Sequence, residues 1–304
     1  MPRVSLQALL AALIWGASFP LAKIVLRDVG PLTYLVLRHL VGGGLLLAIA
    51  ASIGAGRVRR ADLWAFARLG VILIGFHQGV QSFGLARTTA TNSGWLMAAS
   101  PLFIALLARL ALGERLRRRQ WAGMACGLLG SFAVVTQGKL EVAAILSSGG
   151  LGDLLVLESA AAWAVFSVAG KGLLARYPPI AIPAYGMAAG MVPALPIWLA
   201  AGGAADLLRL GATGWVAITF LGACGTALAY VLWYRAMRTR AAGVVGAYMF
   251  LQPLEATVLG RLMLGEALTA ATIAGGLMIL GGVYLVAWPS RAGAGRPAAA
   301  KGKT

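Results

Sequence analysis

Along this chain, runs of about 20 mostly apolar residues follow one another, separated by short stretches bearing Arg, Gly and Pro. A run of that length makes a helix long enough to cross a hydrocarbon layer about 30 Å thick. The run boundaries predict helices near residues 5–25, 32–53, 63–86, 91–112 and 119–137, and again near 152–173, 179–201, 213–234, 243–264 and 269–288. The connections leave no room for a separate soluble domain, and the one long polar segment is residues 290–304. The expected fold class is all-α and integral to a membrane, with ten transmembrane helices.

Composition agrees. Of 304 residues, 60% are hydrophobic and 12% charged, against about half and a quarter in a soluble domain. The net charge of +17 would suit nucleic acid if the cations formed a surface stripe, but they cluster at predicted helix ends. Examples are Arg57, Arg59 and Arg60, then Arg115 and Arg117 to Arg119, then Arg235, Arg238 and Arg240. With the N-terminus inside, 17 Lys and Arg fall on the inner side and 6 on the outer. That bias predicts both termini in the cytoplasm of a bacterial-type inner membrane, with lipid around the chain and no nucleic-acid partner. Cys126 and Cys224 lie inside apolar runs, where a thiol acts as a small hydrophobe. The first run lacks a small-x-small cleavage site and is expected to be a retained span.

An internal repeat is the next signal. Leu112-Gly113-Glu114 recurs 152 residues later as Leu264-Gly265-Glu266, and Pro101 and Arg109 fall on Pro253 and Arg261 at the same offset. Trp15, Lys23 and Pro31 fall on Trp163, Lys171 and Pro179, all 148 residues on. Five spans per half is an odd number, so the second half must enter the membrane inverted. The halves are residues 1–142 and 143–289, followed by a basic cytoplasmic tail over 290–304.

Polar side chains within spans are costly unless they face another helix or a watery cavity, which makes them the candidates for function. Helical spacing puts Trp15 and Ser18 on one face of the first span, and His77 and Gln81 on one face of the third, beside Gln78 and a Gly75/Gly79 pair suited to close packing. Ser159, Trp163 and Ser167 share a face of the sixth span, with Glu158 adjacent. Thr226, Tyr230 and Tyr234 share one in the eighth, and Tyr248, Gln252 and Glu255 one in the ninth. Pro253 and its counterpart Pro101 are expected to kink a helix pair at mid-membrane depth, where irregular backbone is tolerated if it lines a cavity. Trp15 and Trp163 are expected on opposite sides of such a cavity, and Trp95 as a wall or gate residue. Trp64, Trp121, Trp215, Trp233 and Trp288 read as interface aromatics. Glu158 and Glu255 are the carboxylates that could couple protons, and helix packing is the competing role of Glu255. His77 and His39 sit on different spans, so no metal site is expected.

The Trp15-Gly16-Ala17-Ser18-Phe19 stretch, Arg38 in the second span, Thr88 and Ala90 before Pro101, and Leu-Gly-Glu before a Gly-rich span resemble the drug/metabolite transporter superfamily, EamA type. The likeness covers nearly the whole chain and both halves, although Trp163-Ala164-Val165-Phe166-Ser167 departs from the Trp-Gly-x-x-Phe form. It implies an exporter whose two five-helix repeats surround a central cavity that opens alternately to either side. Within the family the chain is most similar to YddG-type exporters of aromatic and other neutral amino acids.

No His-Glu-x-x-His, paired carboxylates on one helix or Ser/His/Asp spacing points to an enzyme, so no catalytic residue and no cofactor is expected. A single chain suffices for this design, with a small molecule as its partner. The candidate side chains are neutral and aromatic, which disfavours a sugar phosphate needing two or more mid-membrane cations. Arg38 and Arg109 are the only cations that could serve, and each is expected near an interface or paired. A neutral zwitterion and an apolar drug-like cation both remain compatible with these residues.

Overall fold

A computed structural model describes residues 5–55, 58–114, 116–135, 151–264 and 270–287. The helices follow the apolar runs: α1 (Leu6–Asp28), α2 (Pro31–Ser52), α3 (Arg60–Arg87), α4 (Ser93–Leu112), α5 (Arg118–Val135), α6 (Leu151–Leu173), α7 (Ala181–Ala200), α8 (Ala212–Thr239), α9 (Ala242–Met263) and α10 (Ala270–Ala287). Among the described residues, eight of these, all but α5 and α10, are long and apolar enough to cross a membrane. Helix α5 opens on Arg118 and Arg119, which dilute its apolar stretch. The second Leu-Gly-Glu beyond Leu264, the boundary near 142, Trp288 and the tail lie outside the described residues.

Local chemistry sets the ends. Ser5 caps α1 by accepting from the Ala8 amide at 3.3 Å, Pro31 starts α2 where its missing N–H is harmless, and Gly113 stops α4 with φ +66°, a conformation open to glycine. Lipid explains the outward face: Leu110, Val192 and Leu262 are each at least 73% exposed, a poor arrangement in water and a good one in hydrocarbon.

Polar contacts gather the helix ends into two sets. At the near end, where α1 begins, Asp62 pairs with Arg176 at 2.7 Å and accepts from the Tyr177 hydroxyl at 2.7 Å. Glu114 there pairs with Lys171 at 2.7 Å and accepts from the Ala242 amide at 2.7 Å. At the far end, Thr88 donates to Asp153, and Asp206 in the α7–α8 connection accepts from Thr33 at 2.6 Å and from the Gly30 amide at 3.3 Å. Both ends are thus tied between the halves.

Close helix approaches rest on glycine. A Cβ on Gly70 of α3 would sit 2.5 Å from the Gly190 nitrogen of α7. Helices α5 and α10 pack on one another more extensively than any other pair, and they do so reciprocally: Gly123 faces Gly282 while Gly130 faces Gly275. Gly275 and Gly282 are the 152-residue equivalents of Gly123 and Gly130, so each position meets the other's counterpart, as across a two-fold axis. The Gly75/Gly79 face differs from expectation. It borders a lateral apolar groove, with nothing within 4 Å of a Cβ on Gly75, because α3 widens to a π-helix over Val71–Gly79 and rotates the packing face.

Two outcomes are expected from these contacts. Gly70→Val should cost about 1–3 kcal/mol by forcing backbone from backbone, seen as a lower thermal midpoint of the purified protein in detergent. The Thr33 hydroxyl, then the Gly30 amide at the start of α2, hold the Asp206 carboxyl below the usual carboxylate range. A depressed folded pKa adds stability above the unfolded value that is lost as pH falls. Asp206→Asn should therefore lower the thermal midpoint at pH 7, and the gap to the parent should close below about pH 4.

Candidate functional site

Between the halves lies a cavity holding about 420 Å³ of non-atom space, including the part open to solvent. Of the residues expected from sequence, Trp15, Ser18, His77, Gln78, Gln81, Trp163, Tyr230 and Gln252 line it. From α1 to α4 the lining comes from the far-end portions: Trp15 to Ala22, Tyr34 and Arg38, His77 to Leu85, and Met97. From α6, α8 and α9 it comes from the middle: Trp163, Tyr230, and Met249 with Gln252. The cavity therefore opens toward the far end and is floored at mid-depth by rings.

That floor is an aromatic cluster. Trp15 and Trp163 meet edge to face, with centroids 5.0 Å apart and planes at 81°. Tyr230 stands edge-on to both at 5.4 and 5.5 Å, the arrangement ring quadrupoles favour. The two tryptophans thus touch instead of facing each other across empty space. Trp233 completes the cluster, 5.3 Å from Trp15 and 5.4 Å from Trp163. It is fully buried and not an interface aromatic, because it shares the inner face of α8 with Tyr230. Trp64 and Trp215 are 69% and 42% exposed.

Two π-helical segments place the polar groups. In α3 the segment Val71–Gly79 carries His77 and Gln78. His77 Nδ1 lies 3.0 Å from the Ser159 carbonyl and must donate to it, so Nε2 is left to accept from the Gln78 amide at 3.0 Å. This is the bonding pattern of a neutral imidazole. The same Gln78 nitrogen donates to the Tyr230 hydroxyl at 2.9 Å, which leaves the Gln78 carbonyl oxygen for the cavity. In α8 the π-helix Leu221–Leu228 pairs the Ala229 amide with the Cys224 carbonyl, and Trp15 Nε1 donates to the Gly225 carbonyl at 2.8 Å.

Arg38 is what sequence reasoning misplaced. It lines the cavity and is 4% exposed. Nε donates to Thr226 at 2.9 Å, Nη1 to the Tyr34 hydroxyl at 2.8 Å and Nη2 to the Gly225 carbonyl at 3.4 Å. No carboxylate pairs with it among the described residues. Helix α2 comes this close to α8 because Gly42 and Gly222 let the backbones approach: a Cβ on Gly42 would lie 2.6 Å from the Gly222 carbonyl oxygen. The signal available in the sequence was an arginine inside an apolar run. Arg109, by contrast, is exposed.

Comparison with known proteins supplies the family. The model of the EamA-like transporter family matches twice, over residues 3–136 and 150–288. The chain belongs to the EamA-like transporter family. It is 30% identical over 282 residues to a probable terminal-alkyne amino-acid exporter of Streptantibioticus cattleyicolor, covering 91% of each chain. It is also 30% identical to an uncharacterised transporter of Archaeoglobus fulgidus, covering 91% of this chain and 94% of that one. To a probable amino-acid metabolite efflux pump of Salmonella typhimurium it is 26% identical, covering 91% and 92%. A crystal structure superposes with TM-score 0.72 at 23% identity over 93% of this chain and 97% of the other, a likeness of fold.

Five other expected residues of this EamA-like transporter lie off the cavity. Trp95 packs with Phe250, Met124 and Ile279 beneath α5 and α10, drawn there by the largest apolar contact in the fold. Tyr234 is buried behind the floor and donates to the Phe166 carbonyl at 3.1 Å. Tyr248 accepts from the Ser5 amide at 2.9 Å, pinning the start of α1. Glu158 is exposed, since Ser159 and Trp163 turn the inner face of α6 away from it. Glu255 packs against Gly16 of α1, and its Oε2 is buried with no hydrogen-bond partner among the described residues. Both prolines sit where helix restarts after a break: Pro101 at the start of Ser100–Leu112, and Pro253 in the first turn of Leu251–Leu264, after a 3-10 turn over Ala247–Phe250.

Gln78→Leu should leave His77 and Tyr230 without their shared partner and lower stability by about 1–3 kcal/mol. Tyr230→Phe, which removes one hydrogen bond only, should cost about 1 kcal/mol. Thermal unfolding of both variants in detergent checks the order.

Proposed function

We propose that this transporter exports small neutral metabolites, chiefly amino acids with aromatic or other neutral side chains, by alternating access between two inverted five-helix repeats. The observation that carries the reading is the cavity itself: rings of Trp15, Trp163 and Tyr230 at its floor, amides of Gln78, Gln81 and Gln252 on its walls, and one cation. Flat apolar surface with neutral hydrogen-bonding groups suits a compact zwitterion with an apolar side chain. The printed names of two relatives, an amino-acid exporter and an amino-acid metabolite efflux pump, support the substrate class.

Ten spans follow if α5 and α10 also cross. The reciprocal glycine contacts between them, and the two π-helices in the third helix of each half, support the division into 1–142 and 143–289. The excess of Lys and Arg at the near end supports the reading in which that end, both termini and the 290–304 tail lie in the cytoplasm of a bacterial-type inner membrane. The cavity then faces outward, closed on the inside by the aromatic floor and by the Glu114–Lys171 and Asp62–Arg176 pairs. Opening inward must break those pairs and separate Trp15 from Trp163.

A second reading is export of drug-like or other metabolites coupled to protons. Glu255 favours it, because a carboxylate oxygen buried without a partner inside a span is a group that gains from taking up a proton.

The test is uptake of radiolabelled aromatic, small neutral and acidic amino acids into proteoliposomes with and without an imposed pH gradient. Saturable uptake of neutral or aromatic members without the gradient is expected. Uptake that needs the gradient and is lost in Glu255→Gln would establish the coupled reading, and no amino-acid uptake under either condition would overturn the substrate class. In Trp163→Ala the KM for an aromatic substrate should rise about three- to tenfold; unchanged kinetics for every substrate would remove Trp163 from the site.

A further inference from the structure

The structure points to a specific chemical requirement, and we propose that Arg38 is the subsite for a carboxylate on the transported molecule. The inference rests on the amino-acid reading above and deepens it by naming which substrate group is held and by what. Three observations carry it.

Arg38 is a full positive charge buried at 4% exposure within a membrane-spanning helix, a costly placement that ordinarily marks a functional group with an anionic partner. No carboxylate lies within 4.0 Å of it among the described residues. Its contacts are all neutral: the Thr226 and Tyr34 hydroxyls and the Gly225 carbonyl. These use three of the five guanidinium N–H groups and leave one on each Nη. Two N–H on adjacent nitrogens are the fork that binds a carboxylate in two parallel hydrogen bonds.

The surroundings fix the fork. Thr226 donates its own hydroxyl to the Leu221 carbonyl at 3.0 Å, a bond reaching back five residues through the π-helix, so its oxygen lone pairs are presented to Arg38. Tyr34 lies one helical turn before Arg38 on α2 and holds Nη1. The guanidinium is thereby pre-positioned and has no large rearrangement to make on binding.

Among the described residues the cavity is lined by no second Lys or Arg. His77 has the bonding pattern of a neutral ring, and Lys23, on α1 beyond the lining residues, donates its ammonium to the Leu85 carbonyl at 2.7 Å. One fixed positive charge matches one carboxylate and falls short of a phosphate ester. The apolar body of the molecule would lie on the aromatic floor, and its ammonium would meet the Gln78 carbonyl oxygen and the ring faces.

The experiment uses the full chain in proteoliposomes. Saturable uptake of L-phenylalanine is challenged with unlabelled L-phenylalanine and with phenethylamine, which keeps the ring and the ammonium but lacks the carboxylate. The amine is expected to compete about 100-fold more weakly, the loss of two charge-assisted hydrogen bonds. Arg38→Gln should abolish saturable uptake, and Arg38→Lys should retain it with a raised KM, a point charge replacing a fork. Competition by phenethylamine as strong as by L-phenylalanine, or an unchanged KM in Arg38→Gln, would overturn the carboxylate subsite while leaving amino-acid export standing. Absence of L-phenylalanine and of every other neutral amino acid from the lumen would overturn both. The competition arm needs no variant, so it decides even if Arg38→Gln fails to fold.

Discussion

The backbone carbonyl of Gly225 is where the two halves of the cavity meet. It accepts from Trp15 of α1 and from Arg38 of α2, so one acceptor on α8 orders both the aromatic floor and the buried cation. An ordinary α-helix would commit that carbonyl to an amide four residues on. In the π-helix over Leu221–Leu228 that amide, of Ala229, bonds to the Cys224 carbonyl instead, and side-chain donors meet the Gly225 carbonyl in the apolar surrounding. Trp15 and Arg38 are those donors. Their positions in turn set the ring contacts with Trp163 and Tyr230, and the hydroxyl contacts with Thr226 and Tyr34.

The opposite half solves the same problem with different atoms. The π-helix in α3 presents His77 and Gln78, which tie α3 to the Ser159 carbonyl on α6 and to Tyr230 on α8. Around the cavity, hydrogen bonds therefore run between the halves, with Trp15, Arg38, His77 and Gln78 of the first meeting neutral acceptors of the second. Arg38 stands apart because its charge, unlike its three bonded hydrogens, has no counterpart in the described structure. In a low-dielectric interior that imbalance is the strongest electrostatic feature of the site.

Closure at the near end is built differently. The pairs Glu114–Lys171 and Asp62–Arg176 sit there with Glu114, Lys171 and Asp62 largely buried. The ring floor beneath them is held by dispersion and quadrupole contacts that fade within an ångström or two, so separation there is all-or-none.

The sequence by itself determined the membrane-spanning helical architecture, the family and the rows of candidate residues. Those follow from apolar run length, the 148- and 152-residue correspondences and helical periodicity, all of them local or additive along the chain. It also picked out eight cavity-lining side chains, because a polar or aromatic residue inside an apolar run has few places to go. Only tertiary structure decided which of those faces point at one another. Two π-helices, each inserting an extra residue into a turn, shifted the helical phase in ways a 3.6-residue period does not foresee. On α3 and α8, which carry them, Gly75 borders a groove, Trp233 joins the floor and Tyr234 is buried behind it, while Trp95 on α4 and Tyr248 on α9 face packed helices through tertiary contacts alone. Arg38 reads from sequence as a charge either near an interface or paired. Its place in the cavity depends on Gly42 and Gly222 letting α2 and α8 touch, a pairing of residues 180 positions apart that no local pattern encodes.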